Sequence, residues 1–334
     1  MKQHAILVVG GAGYIGSHMV RDLLRAGYGV VVLDNLCRGH RELVPGGTFI
    51  EGDLGDAALL DQAFSRHSIT AVMHFAAYSL VGESVEKPLV YYRNNVSRTV
   101  ELLDAMMRHR VNHFIFSSTA AVYGEPAKVP IPEDHPCHPT NPYGATKLAV
   151  ERLLADCAQG NDLNGLKYIS LRYFNAAGAD ASGNLGERHE PETHLIPLML
   201  QVATGERDSI RIFGTDYPTP DGTCVRDYIH VSDLTQAHLL ALEHLLKGGD
   251  SAVYNLGSNK GYSVREVVEM ARRITKHPIP AVEAERRPGD PAFLVADSGR
   301  IRRELGWQPR HEKLEAIIET AWAWHQKEAA RNTR

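Results

Sequence analysis

Tyr143 and Lys147 stand four residues apart, directly after Asn141-Pro142. Asparagine suits a helix N-cap and proline the first helical position, so a helix is predicted over Tyr143–Gln159. Residues i and i+4 share a helical face, which sets the phenol and the ammonium side by side. A tyrosine and a lysine at this spacing are common on any helix surface, but Ser117-Ser118-Thr119 add meaning to the pair. These hydroxyls close the apolar run His113–Ser117, which reads as a strand, and open α/β sheets bind ligands at the carboxyl ends of their strands. The three side chains answer the demands of removing hydride from an alcohol. A base must take the hydroxyl proton, and a tyrosine of pKa about 10 is too weak unaided. Lys147 and the positive ring of an oxidised nicotinamide would favour the phenolate and lower that pKa. Thr119 can donate to, or accept from, the same hydroxyl and orient it. Tyr143, Lys147 and Thr119 are therefore the expected catalytic groups.

A dinucleotide would supply the hydride acceptor, and the amino terminus has the pattern that holds one. Gly10-Gly11-Ala12-Gly13-Tyr14-Ile15-Gly16 contains G-x-G-x-x-G between a predicted strand, Ile6–Val9, and a predicted helix, Tyr14–Ala26. The first glycines permit a tight turn, Gly13 lets a pyrophosphate approach the backbone, and Gly16 lets the helix lie close to the strand. The helix N-terminus offers N–H groups and a positive dipole to the phosphates. A bare turn would use the same residues, but Asp34 ends the second predicted strand 18 residues beyond Gly16. That is close to the spacing of the carboxylate that binds the ribose hydroxyls, and it would repel a 2′-phosphate. NAD is expected over NADP, with Arg38 nearby as a group that could compensate a phosphate. Asp53 follows the third strand and could accept from the adenine amino group or serve simply as a loop residue.

The elements that must position these groups alternate. Short apolar runs at Ile6–Val9, Val30–Leu33, Thr48–Glu51, Ala71–Phe75, His113–Ser117 and Tyr168–Arg172 read as strands. Tyr14–Ala26, Ala57–Arg66, Leu89–Arg108 and Tyr143–Gln159 read as helices between them. This alternation predicts an α/β fold, a Rossmann-like doubly wound parallel sheet covered on both faces. After Phe174 the rhythm changes to a polar stretch, Gly178–His194. Helices follow at Ile196–Thr204, Val231–Leu246, Val264–Ile274, Ile301–Leu305 and Leu314–Arg331, with strands at Ile210–Phe213 and Ala252–Leu256. The expected organisation is an NAD-binding domain over 1–177 and a smaller, mainly substrate-binding lobe over 178–334, some of whose elements return to the first sheet.

Composition narrows the function classes. The chain has 334 residues and a net charge of −4, too acidic for a general nucleic-acid binder. Cys37, Cys137, Cys157 and Cys224 are widely spaced, so neither a zinc site nor a disulfide framework is suggested and no metal is expected. No run approaches the ~20 apolar residues of a membrane span, and the first apolar stretch is too short for a signal-peptide core. The cytoplasm is the expected location.

Several separate stretches carry a resemblance. They are the glycine turn, Val32-Leu33-Asp34-Asn35-Leu36, His74-Phe75-Ala76-Ala77, Phe116-Ser117-Ser118-Thr119, Tyr143 with Lys147, and Arg172-Tyr173-Phe174-Asn175. In the carboxyl half they are the segment from Asp221 to His230 and Arg286-Arg287-Pro288-Gly289-Asp290. Along essentially its whole length the chain resembles the extended short-chain dehydrogenase/reductase family, and the carboxyl-half motifs resemble its members acting on nucleoside-diphosphate sugars. The resemblance implies that the backbone near Tyr14 and Ile15, with Asp34, Asn35, Asp53 and Leu54, holds the adenosine half of NAD, next to the turn of Gly10, Gly13 and Gly16. Phe75, Ala76, Ala77, Asn94, Tyr143, Lys147 and Phe174 would surround the rest. Asn175, His194, Arg226, Arg287 and Asp290 would hold a UDP-sugar, with Thr119 and Tyr143 at its reacting end. Two arginines suit a diphosphate because their planar forks bond it bidentately. Ser79 and His194 depart from the lysine and asparagine that some members place there.

Relatives that dehydrate their sugar place an Asp-Glu pair directly after the active-site threonine, and decarboxylating members tend to keep a carboxylate there. Here Thr119 is followed by Ala120 and Ala121, which cannot exchange protons. The resemblance therefore implies oxidation at sugar carbon 4, rotation of the 4-keto intermediate and re-reduction on its other face. That interconverts UDP-glucose and UDP-galactose, with NAD resident and regenerated. An epimerase of another UDP-sugar (N-acetylhexosamine, glucuronate or pentose) is the alternative. Leu294 falls where the family tunes room for the 2-substituent and does not decide between them. A non-catalytic NAD-binding regulator would be expected to have lost the Tyr/Lys pair. The family also implies a homodimer, with Leu89–Arg108 and Tyr143–Gln159 as the candidate helices.

Overall fold

A computed structural model describes residues 5–160, 165–287 and 290–332. The chain opens with β1 (Ala5–Val9), α1 (Tyr14–Arg25), β2 (Gly29–Asp34), β3 (Thr48–Glu51), α2 (Ala57–Arg66) and β4 (Ile69–His74). Helices α3 (Val81–Glu86), α4 (Pro88–Tyr92) and α5 (Arg98–Arg108) lead to β5 (His113–Thr119), α6 (Pro142–Gln159) and β6 (Lys167–Tyr173). Then come β7 (Asn175–Ala177), α7 (Leu195–Ala203), β8 (Ile210–Phe213), β9 (Val225–His230), α8 (Val231–Leu246) and β10 (Ala252–Leu256). The chain closes with β11 (Gly261–Ser263), α9 (Val264–Thr275), β12 (Ala281–Ala284), β13 (Phe293–Leu294), α10 (Gly299–Leu305) and α11 (Leu314–Asn332).

Two compact units emerge, the first from residues 1–124, 137–172 and 235–254 and the second from 125–136, 173–234 and 255–334. The main sheet of the molecule has seven strands in the order β10-β6-β5-β4-β1-β2-β3. Its pairs β1/β2, β2/β3, β1/β4 and β4/β5 are parallel. β1 is buried at every position and β2 at every position but Gly29, as strands covered on both faces must be. Leu7, Val9, Val31, Val72, Phe114 and Phe116 of the strands pack with Leu60, Leu102, Met106, Val150 and Leu154 of the helices. The order reverses beside β1, so the carboxyl ends of β1 and β4 border the crevice where such sheets take their ligands.

The second unit is a patchwork. β9 pairs with β11 antiparallel and with β7 and β13 parallel, while β8 pairs with β12. Its core gathers Ile196, Met199 and Leu200 of α7, Val267, Val268 and Ala271 of α9, and Leu314, Ile317 and Ile318 of α11. No helix among the described residues is long and apolar enough to cross a membrane.

The sequence predicted one helix over Leu89–Arg108. The structure instead has α4 and α5 joined by a π-helical turn at Arg93–Ser97, with the separate α3 before them. Asn95 lies in that turn, and its buried side chain bonds outside the helix, to Tyr78 and Thr146. Strands β7, β9, β11, β12 and β13 were not foreseen. They are two to six residues long, and β9 buries Asp227 and His230, so no hydrophobic alternation announces it.

Candidate active site

The proton-handling groups lie in the first unit. Asn141 caps α6, its side chain accepting from the Gly144 N–H at 2.9 Å, and Pro142 occupies the first turn, as the sequence predicts. Tyr143, Lys147 and Glu151 follow at intervals of four. Tyr143 is hydrogen-bonded to Thr119 at the end of β5. Lys147 is buried, donates to the Ser117 carbonyl at 2.7 Å, and has its ammonium 4.8 Å from the centre of the Phe116 ring. Burial pulls its pKa down to about 7, with Glu151 opposing the shift. Tyr143 departs from expectation. Burial pushes the phenol above its ordinary value, and the Thr119 hydrogen bond draws it only partly back. The lowering comes from Thr119, whereas Lys147 turns one of its N–H groups to the Ser117 carbonyl.

Behind these side chains is a buried network that the sequence reading did not find. Glu151 accepts two bonds from Arg172, Nε at 2.9 Å and Nη2 at 2.5 Å, and one from the Ser118 hydroxyl at 2.5 Å. Arg172 also donates to the Tyr123 hydroxyl at 2.9 Å. This ties α6 to β5 and β6 on either side of the reacting groups. Asn95 is a second missed residue. It accepts from the Tyr78 N–H, donates to the Tyr78 carbonyl and donates to Thr146, next to Lys147 in α6. His74 bonds Thr99 at 3.0 Å, and burial, reinforced by the charge of Lys147, drops its pKa to about 3, so it is neutral.

The glycine turn fits a dinucleotide. Gly10 has φ +79°, and a Cβ on it would meet the Ala76 N at 2.5 Å. A Cβ on Gly16 would meet the Gly10 carbonyl oxygen at 2.1 Å, so the helix starts pressed against the turn. A Cβ on Gly13 would meet nothing closer than 3.4 Å, which leaves this residue open to a ligand. Gly13 is also the N-cap of α1 and provides no side-chain cap, so a phosphate can take that role. Tyr14 and Ile15 form the first turn of that helix. Asp34 is buried, accepting from Ala12 N–H on one oxygen and Leu36 N–H on the other, each at 2.9 Å. A carboxylate has about four acceptor positions, so two remain for ribose hydroxyls. Burial nonetheless pushes its pKa up. Asn35 donates to Asp53 at 2.9 Å, and Arg98 lies 3.2 Å from the same carboxylate, so the two adenosine candidates are in contact. Leu54 is buried beside them in sequence. Phe75 and Ala76 both donate their N–H to the Val9 carbonyl, and Ala77 continues that loop. Asn94 bonds Asn95 at 3.0 Å.

In the second unit the sheet around β9 gathers part of the predicted sugar-nucleotide set. Asn175 on β7 pairs with Tyr228 and donates to the Asp227 carbonyl at 3.2 Å. Leu294 on β13 is in register with Arg226 on β9. Arg226 donates to Asp290, and the Asp290 N–H bonds the Arg287 carbonyl at 3.2 Å. Arg287 is exposed, its guanidinium 4.0 Å from the centre of the Phe213 ring. Pro288 and Gly289 lie outside the described residues. Phe174, expected at the cofactor, stands between β6 and β7 in this unit.

His194 stands apart from that set, at the N-cap of α7. It contacts Glu187 at 2.5 Å through Nδ1, and Glu187, His189, Glu192 and His194 converge with their ligand atoms within 4.8 Å of one another. Burial opposes ionisation of Glu187, but His194 and His189 outweigh it and hold its carboxyl down at about 2. His189 is driven up to about 10 by the two glutamates, against the effect of burial. The spacing Glu-x-His-x-x-Glu-x-His is the sequence signal of this cluster.

Comparison with known proteins agrees with this geometry. A profile described as the NAD dependent epimerase/dehydratase family matches residues 6–257. The chain belongs to that family. It is 56% identical to a UDP-glucose 4-epimerase of Halalkalibacterium halodurans, over 97% of this chain and 96% of that one. The UDP-glucose 4-epimerase of Brucella ovis, crystallised with NAD, is similar at 49% identity and a TM-score of 0.92, covering 96% and 97% of the two chains. That of Bifidobacterium longum, with NAD+ and UDP, is similar at 39% identity and a TM-score of 0.92, covering 97% and 99%. Family membership fits the cradle found at Gly10–Gly16 and Asp34.

Proposed function

We propose that the chain is an NAD-dependent UDP-glucose 4-epimerase, interconverting UDP-glucose and UDP-galactose. The observation that carries this reading is Tyr143 bonded to Thr119 at the end of β5, with alanine at both following positions. Such a site can move one proton while hydride leaves or returns, but it has no second acid for elimination. Similarity to UDP-glucose 4-epimerases over nearly the whole chain supports the same conclusion.

The glycine turn, Asp34, Asn35 and the residues at the end of β4 would hold NAD, which when bound would supply the hydride acceptor and a positive charge beside the phenol. Tyr143 takes the proton of the 4-hydroxyl. Thr119 orients that hydroxyl, and Lys147, fixed on the Ser117 carbonyl, favours the phenolate when it carries its proton. Because burial alone raises the Tyr143 pKa, the phenolate depends on charges brought by Lys147 and the cofactor together. Arg226, Arg287 and Asn175 hold the nucleotide diphosphate, with Asp290 steadying Arg226. Binding energy from that remote half keeps the keto-sugar from leaving while it turns over. Oxidation followed by re-reduction of the same carbon has no net demand for oxidant. The protein should therefore convert UDP-glucose to UDP-galactose with no NAD added. A requirement for stoichiometric added NAD(P)H would identify a reductase instead.

Acceptance of a 2-acetamido sugar is the finer question. Leu294, beside Arg226, is neither large nor small, and parallel assays with UDP-glucose and UDP-N-acetylglucosamine decide it. A homodimer is part of the same reading. Val81, Val85, Leu89, Val90, Tyr92, Val100 and Met107 are exposed apolar side chains concentrated on α3, α4 and α5. A groove of about 410 Å³ adjoins them, lined by Tyr92 and by Ala145, Leu148 and Ala149 of α6. Helices α4 to α6 are thus the proposed contact between copies. A light-scattering mass of 36.9 kDa, that of one chain, would refute it.

A further inference from the structure

We propose that Glu187, His189, Glu192 and His194 form a binding site for one zinc ion, separate from the redox chemistry. The argument is geometric. The Nδ1 atoms of both histidines face the two carboxylates, His194 at 2.5 Å from Glu187 and 3.6 Å from Glu192, His189 at 3.2 Å and 3.5 Å. Zinc bonds nitrogen and carboxylate oxygen at about 2.0–2.2 Å, and the edge of a tetrahedron of that size is about 3.4 Å. With Oε1 of Glu187 and Oε2 of Glu192 as donors, both separations from His189 are near this edge, and the four ligand atoms lie within 4.8 Å of one another. Two nitrogens and two carboxylate oxygens are a donor set that zinc favours over calcium or magnesium, which seek oxygen alone.

The surroundings suit an ion. The side chains of Glu187 and Glu192 are only 6% exposed, so two negative groups are held together out of water. Oε1 of Glu192 accepts the Thr193 and His194 N–H groups at 2.7 and 2.8 Å, which leaves Oε2 facing His189. Glu187 is anchored through its carbonyl, which accepts the Trp324 indole N–H at 3.0 Å. Supports of this kind orient metal ligands. His194 is 53% exposed, which leaves a path from solvent. On binding, the ion takes the place of the protons on the two Nδ1 atoms, which leave to water. Four protein ligands close the site, so the ion is structural. It staples the segment 187–194 to the start of α7 and, through Trp324, to α11. The site requires nothing from the sugar reaction.

The test uses the full-length protein with its bound NAD, freed of any affinity tag. After treatment with a chelator, zinc is titrated against a chromophoric competitor and bound metal is counted by mass spectrometry. One equivalent per chain is expected, with a rise in melting temperature, and cobalt should give the visible absorption of a tetrahedral site. His189→Gln and Glu192→Gln should each weaken zinc binding by a hundredfold or more. Two variants guard against a folding defect, and retained NAD content certifies each. No stoichiometric zinc in the native protein, or equal zinc in native protein and both folded variants, would overturn the assignment.

Discussion

Tyr143, Lys147 and Thr119 sit on one long helix and the end of one central strand, whereas Arg226, Arg287 and Asn175 sit on short strands and a loop. The first group is backed by buried, mutually satisfied partners, Glu151 with Arg172, Ser118 and Tyr123. In the second, Arg226 has one carboxylate, Asp290, and Arg287 is exposed over a ring. The contrast matches two tasks. Proton and hydride transfer need atoms held to fractions of an ångström. Gripping a flexible, charged nucleotide needs reach and hydrogen-bond donors more than rigidity.

Lesions in the two regions should differ in kind. Tyr143→Phe should give the largest loss, about 10²–10⁴ in kcat, with NAD and UDP binding nearly unchanged. Near-native turnover in that variant would break the comparison outright. Glu151→Gln leaves Arg172 buried against a neutral partner, and loss of one member of such a pair costs about 3–5 kcal/mol. Denaturant titration should record it as lost stability. Arg226→Met should weaken UDP binding, measured by calorimetry, by about 10–100-fold, since a hydrogen bond to a charged group is worth about 1.5–3 kcal/mol. Melting temperature and NAD content should hardly move.

The smallest effect sharpens the comparison by its sign. Burial holds Lys147 at about 7 in the folded chain against an ordinary 10.5. Between those values the unfolded chain keeps a proton that the folded chain has shed, so stability climbs with pH across that window. The benefit of the neutral amine is complete above 10.5 and lost as pH falls through 7. In cofactor-stripped protein, Lys147→Met should remove this climb. It should gain most on the native protein below pH 7, while losing activity. A variant destabilised equally at pH 6 and pH 10 would contradict it.

Local features were legible in the sequence. The glycine turn, Asp34, the Asn141-Pro142 helix start and the Tyr143–Lys147 spacing are each set by neighbours a few residues apart, and the structure places them where their spacing predicts. The central strands were legible because burial on both faces makes them continuously apolar. Glu151 and Arg172 were not, because their partnership joins residues 21 apart through the stacking of α6 on the sheet. Strand β9 hid because Asp227 is buried by bonds from Ser258 and Ala296, which no alternation pattern records. The Glu187–His194 constellation was local and could have been read.

The π turn at Arg93–Ser97 has a consequence of its own. A π turn carries one residue more than the α-helical turn it replaces, so it works as a phase adapter between two helical surfaces. Ahead of it Leu89 and Tyr92 face outward, within it Asn95 reaches Tyr78 and Thr146, and beyond it Leu102 and Met106 face the core. Deleting one residue there would remove the extra residue that lets Asn95 leave the helical ladder, and its bonds to Tyr78 and Thr146 would be lost. The segment is therefore sensitive to length more than to composition. Changes of side chain should be tolerated at its exposed positions, but a single-codon deletion should not.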